Sequence, residues 1–92
     1  MFGLSIVDIV GWTGAILVIL AYLLITTRKV KASSILYQTL NFFGSIGIIV
    51  NSFFYRAYPS VIVNALWILI ALYGLSVILI KKKKILSIQF IL

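Results

Sequence analysis

The stretch Tyr58-Pro59-Ser60-Val61-Ile62-Val63-Asn64-Ala65-Leu66-Trp67 opens the last long apolar run of the chain, which continues uncharged to Ile80 and stops at Lys81-Lys82-Lys83-Lys84. From Val61 to Ile80 lie about 20 residues, the length an α-helix needs to cross a hydrocarbon core of roughly 30 Å. Most are Leu, Ile or Val, each favouring insertion by roughly 0.3–0.6 kcal/mol. Their sum, on the order of 4–8 kcal/mol, carries one buried amide at Asn64. The run reads as a membrane helix with a polar group set inside it.

Composition extends that reading to the whole chain. Of 92 residues, 64% are hydrophobic and only 10% charged. A soluble domain this small leaves too much of its surface exposed to hide such a composition. The apolar residues come in long runs rather than in period-2 alternation, which excludes the pattern of a membrane β-barrel. The expected fold class is all-α, an integral membrane three-helix bundle with spans over about 6–27, 34–55 and 59–80. A short apolar tail, 85–92, is too short to cross and is expected to lie in the interface or to be disordered. The chain is read as one transmembrane domain.

The net charge of +7 does not point to nucleic acid, because the cations sit at the ends of apolar runs. Arg28, Lys29 and Lys31 follow the first run, Arg56 the second and the lysine run the third. That is where topology determinants stand. With three crossings the two strongly basic segments share a side, which the positive-inside rule makes cytoplasmic. The expectation is a multi-pass protein of the cell (inner) membrane, N-terminus outside and C-terminus inside. No lysine or arginine precedes the first run, so it is read as a span and not as a secretory signal.

Local signals place the helix ends. Ser5-Ile6-Val7-Asp8 matches a capping box, which gives Asp8, the only acid, a capping role. Ser33 or Ser34 can cap the second helix, and Pro59 suits the first turn of the third. On the first helix Asp8, Gly11, Ala15, Val18 and Tyr22 share a face, with Gly11 and Ala15 as a small-xxx-small pair. On the second, Tyr37, Asn41, Gly44, Ile48, Asn51 and Tyr55 form a stripe beside a row of Gln38, Ser45 and Ser52. On the third, Ser60, Asn64, Trp67, Ala71 and Gly74 share a face.

Polar groups in membrane helices face the bundle interior and line substrate sites, or else bond between helices as structural glue. The candidate solute ligands are Asn64, Asn51, Trp67, Asn41 and Ser60, with glue as the alternative for the amides and simple packing for Trp67. Trp12, Tyr55 and Tyr58 read as interfacial belt residues. There is no cysteine or histidine, hence no disulfide frame and no Cys/His metal site. The glycines match no phosphate-loop spacing and no serine has a base beside it, so neither an enzyme nor a cofactor is expected.

Gly11-Trp12-x-Gly14-Ala15, Ala21-Tyr22, Tyr37-Gln38-x-x-Asn41-x-x-Gly44 and Pro59-Ser60 leading to Asn64-x-x-Trp67 together resemble a family of small, largely uncharacterised bacterial membrane proteins described as permease-like. The resemblance covers about residues 8–76. More distantly, the layout is similar to the SemiSWEET and PQ-loop transporters, in which a proline followed four intervening residues later by an asparagine opens the third helix. There the asparagine lines the sugar pocket; Pro59 and Asn64 stand at that spacing. Two features depart: the proline–glutamine hinge of the first helix has no counterpart near Tyr22-Leu23-Leu24, and the pocket tryptophan of the second helix falls at Ile48. The resemblance implies a SemiSWEET-like bundle completed as a homodimer that transports a small polar solute such as a sugar. The alternative is a non-transporting accessory protein whose polar stripes only pack helices.

Overall fold

The computed structural model describes residues 5–91; the apolar lead over 1–4 and the last residue of the tail lie outside the described residues. Its described residues are helical, with α1 (Ile6–Thr26), α2 (Ile35–Phe54) and α3 (Tyr58–Ile91) joined by a short looped turn over 27–34 and a tight turn over 55–57. Helices α1 and α3 are long and apolar enough to cross a membrane. Helix α2, which carries Gln38, Asn41, Asn51 and several serines, is not among those that composition alone singles out.

The ends form for the local reasons read above. Ser5 Oγ accepts the Asp8 N–H at 3.3 Å while the Ser5 N–H donates to Asp8 Oδ2 at 3.1 Å, satisfying two otherwise orphaned donors. Ser34, rather than Ser33, caps α2 by accepting the Tyr37 N–H. Both α1 and α2 end in the same way. The Arg28 N–H donates to Ile25 and the Lys29 N–H to Leu24; likewise Arg56 donates to Phe53 and Ala57 to Ser52. These are Schellman closures, and each needs a residue in the left-handed region. Arginine fills that place in both, with φ of 60° at Arg28 and 59° at Arg56. A side chain there costs roughly 1–2 kcal/mol that glycine would not.

Helix α2 is the middle of the bundle. It packs on α1 along one side and on α3 along another, whereas α1 and α3 make no packing contact with each other among the described residues. The buried positions are Gly14, Ala21, Gly44, Ser45, Gly47, Ser52, Asn64 and Ala71, all small or polar. Large apolar side chains such as Ile16, Ile19, Phe53 and Leu69 face outward. Small residues at the seam let backbones approach. A Cβ at Gly14 would lie 2.5 Å from the Gly44 carbonyl oxygen, and one at Gly47 would lie 2.8 Å from that of Val10. The close approach is therefore made by Gly14. Gly11, expected to pair with Ala15, instead faces the Asn51 side chain.

The third helix continues past the expected end of the span near residue 80 and takes in the tail as far as Ile91. It runs unbroken for 34 residues through the lysines to Ile91, about 51 Å at 1.5 Å per residue. Lysine and leucine are good helix formers, and no glycine or proline interrupts 75–91.

Candidate functional site

The polar residues sort into two groups at opposite ends of the bundle. At the end where α1 begins, side chains join the helices. The Tyr55 hydroxyl donates to Asp8 Oδ1, linking the close of α2 to the start of α1. Asn51 Nδ2 donates to the Val7 carbonyl at 3.0 Å. Ser52 and Ser60 hydroxyls bond at 2.8 Å between α2 and α3. Asn64, only 8% exposed, donates to the Ser60 carbonyl at 2.9 Å and approaches its hydroxyl at 3.4 Å. Of the five candidate ligands, Asn51 and Ser60 bond across helices here and Asn64 bonds within its own helix.

Toward the other end the helices part. A cleft of about 310 Å³ opens over α2, between α1 and α3. Helix α1 supplies Val18 and Tyr22, α3 supplies Trp67, Ile70 and Ala71, and the floor is Tyr37, Gln38, Asn41 and Ser45 of α2. Asn41 and Trp67 therefore come together here, and the other three candidates do not line it. Asn41 Nδ2 bonds back to the Tyr37 carbonyl at 3.1 Å and Gln38 Nε2 reaches the Ala32 carbonyl at 2.9 Å. Both carboxamide donors are partly used, which leaves their oxygens as acceptors. Every buried side-chain nitrogen and oxygen among the described residues has a partner, so what stays unpaired reaches open space. Tyr22 is 70% exposed and Trp67 53%. The lining holds three aromatic side chains, two carboxamides and three hydroxyls, those of Tyr22, Tyr37 and Ser45, and no charge.

The sequence reading missed Tyr22, Tyr37, Gln38 and Ser45 as lining residues. Their spacing held a signal: Gln38 and Ser45 lie one row from Asn41, on the side of α2 that turns to α3. Gln38 also sits against Gly74, where a Cβ would meet its Nε2 at 2.7 Å.

A family model matches residues 7–83, which takes in the cleft, both turns and the joined end. The chain belongs to this family. The family is an uncharacterised one, and the match stops inside the lysine run, so residues 84–91 of α3 stand outside it. No curated protein and no solved structure matches the chain.

Proposed function

We propose that the chain is an inner-membrane protein whose three helices all cross the bilayer, N-terminus outside, and that two copies form a SemiSWEET-like carrier for a small, uncharged polar solute. The observation that carries this reading is the cleft lined by all three helices, bearing aromatic faces and amide oxygens but no ionised group. Burying a charge in such a place would be expensive, whereas a neutral solute can exchange its water for amide and hydroxyl partners. Sugars are one such class. The inverted burial pattern, with small residues inside and large apolar ones outside, supports lipid as the surrounding solvent. The half-open cleft supports the dimer, since Tyr22 and Trp67 would otherwise present polar atoms to hydrocarbon. Asn41 and Trp67 are the leading solute contacts. Asn64, Asn51 and Ser60 would contribute only by exchanging their present bonds for the solute.

Those bonds favour a second reading, in which the polar stripe is glue and the protein is a non-transporting accessory subunit. Native mass spectrometry of the purified protein, released gently from detergent, separates the two. A dimer carrying a small non-lipid adduct that Trp67→Ala removes supports the carrier. A monomer, or a dimer without adduct whose stability falls with Asn64→Ala, supports glue.

A further inference from the structure

We infer that the groove between the α1–α2 turn and the far part of α3 seats the phosphate of an anionic phospholipid. This rests on membrane embedding but is independent of transport. The open groove measures about 460 Å³, with Ser33 of the turn facing Ile78, Lys81, Lys82, Ile85 and Leu86 of α3 and Gln89 at its far end. The uncharged stretch 59–80 of α3 spans about 33 Å as helix, close to the roughly 30 Å of a hydrocarbon core. Lys81 and Lys82 therefore stand where that core gives way to phosphates. Ile78, one turn nearer the core, meets the start of an acyl chain, while two ammonium groups and a hydroxyl face the headgroup as donors.

Charge selects the lipid. Every arginine and lysine except Arg56 lies at this end of the molecule. The only acidic side chain, Asp8, lies at the other end and accepts from Tyr55. No acidic side chain competes for the lysines, and a zwitterionic lipid brings a cation they repel. Geometry restricts the seat further. Successive residues of a helix point about 100° apart, so four consecutive lysines cannot share a groove, and only Lys81 and Lys82 line this one.

The test is native mass spectrometry of the full chain in detergent with equal amounts of phosphatidylglycerol and phosphatidylcholine of matched acyl chains. Phosphatidylglycerol adducts should exceed phosphatidylcholine adducts several-fold. Each lysine near an anionic surface is worth roughly fivefold in affinity, so Lys81→Gln with Lys82→Gln should bring the two lipids close to parity. Lys83→Gln with Lys84→Gln should keep most of the preference, and Ser33→Ala, which alters no charge, should lower the adducts of both lipids together and leave the preference unchanged. Circular dichroism checks that α3 stays helical in each variant. Equal retention of the two lipids by the unaltered protein overturns the proposal, as does an equal loss in both lysine pairs. Displacement of the lipid by equimolar inorganic phosphate also overturns it, because the seat would then serve a soluble anion. A protein that stays dispersed without detergent would instead fail the membrane reading itself.

Discussion

The two ends of this bundle are built from the same residue types and do opposite things. At the Asp8 end, serine, asparagine and tyrosine reach across to other helices: Tyr55 to Asp8, Asn51 to Val7 and Ser52 to Ser60. At the basic end, Asn41 bonds within its own helix and Gln38 to the preceding turn, while the space between α1 and α3 stays open as the cleft. The difference is not one of polarity but of whether a partner on another helix lies within reach. The Gly14, Gly44 and Gly47 contact stands between the two regimes. It holds α1 against α2, and beyond it the chain diverges enough to leave amide oxygens unmatched.

The contrast would break most completely at that contact. Gly14→Ala places a methyl 2.5 Å from the Gly44 carbonyl oxygen, against backbone that cannot swing aside. The expected cost is roughly 1–3 kcal/mol, read as a lower midpoint in unfolding from detergent micelles. Gly11→Ala also meets its neighbour at 2.5 Å, but that neighbour is the Asn51 side chain, its Cβ at 2.6 Å included. Rotation of the carboxamide, at the expense of its bond to Val7, relieves part of the clash, and a small shift near the helix ends relieves the rest. It should therefore cost less than Gly14→Ala. An equal or larger loss at Gly11 would show that the backbone approach is not what holds the two ends together.

Much of this organisation was legible before any coordinates. The three apolar runs, the Ser5–Asp8 capping box and the shared face of Ser60, Asn64, Trp67, Ala71 and Gly74 follow from spacing alone, though Trp67 stays half exposed on it. The rest was not legible, for physical reasons. Gly11, Gly14 and Ala15 fall within little more than one turn, so small-residue spacing cannot tell which of them meets backbone; only the rotation of α2 does. A lysine run ends an apolar stretch, but nothing in lysine ends a helix, and α3 accordingly continues to Ile91. The placement of α2 between its neighbours depends on which two sides of one helix are used. Its twin rows, Gly44 with Asn51 and Ser45 with Ser52, hinted at this without deciding it.

The joined end is tested next. Tyr55→Phe and Asn51→Ala each remove one bond between helices, a class of interaction that averages about 0.6 kcal/mol in membranes and reaches about 1.7. Tyr55→Phe should be the costlier of the two, since its acceptor is the Asp8 carboxylate and bonds to charged groups are stronger. Chemical unfolding of the two single variants and the double variant would measure them. A Tyr55→Phe change that costs nothing would mean that the bond to Asp8 does not help hold that end.

Arg28 and Arg56 probe what the two ends share. Each sits at a φ near 60°, and replacement by glycine removes the strain while adding freedom to the unfolded chain, for a net gain of roughly 0.5 kcal/mol. Both Arg28→Gly and Arg56→Gly should raise the unfolding midpoint slightly. On the proposed topology, Arg28→Gly should also weaken the charge difference expected to set orientation, visible as a minor inverted population in cysteine-accessibility labelling of a single cysteine introduced into the α1–α2 turn. A stabilised protein with orientation unchanged would assign topology to the remaining lysines of the turn and of α3.

The smallest stability effect belongs to the open end, and there smallness is the informative result. Asn41 Nδ2 donates to the Tyr37 carbonyl, an oxygen that the helix already serves through the Asn41 backbone N–H, so Asn41→Ala leaves nothing buried and unpaired. Trp67 is 53% exposed and its truncation removes little from the seam between α2 and α3. Both changes should shift stability by less than about 0.5 kcal/mol, no more than Asn51→Ala at the joined end. If they also abolish a solute adduct on the dimer, the open end is a binding surface kept apart from the parts that hold the fold. If either instead destabilises the protein by as much as Gly14→Ala, the cleft is packing that a second copy completes, and the contrast between the two ends disappears.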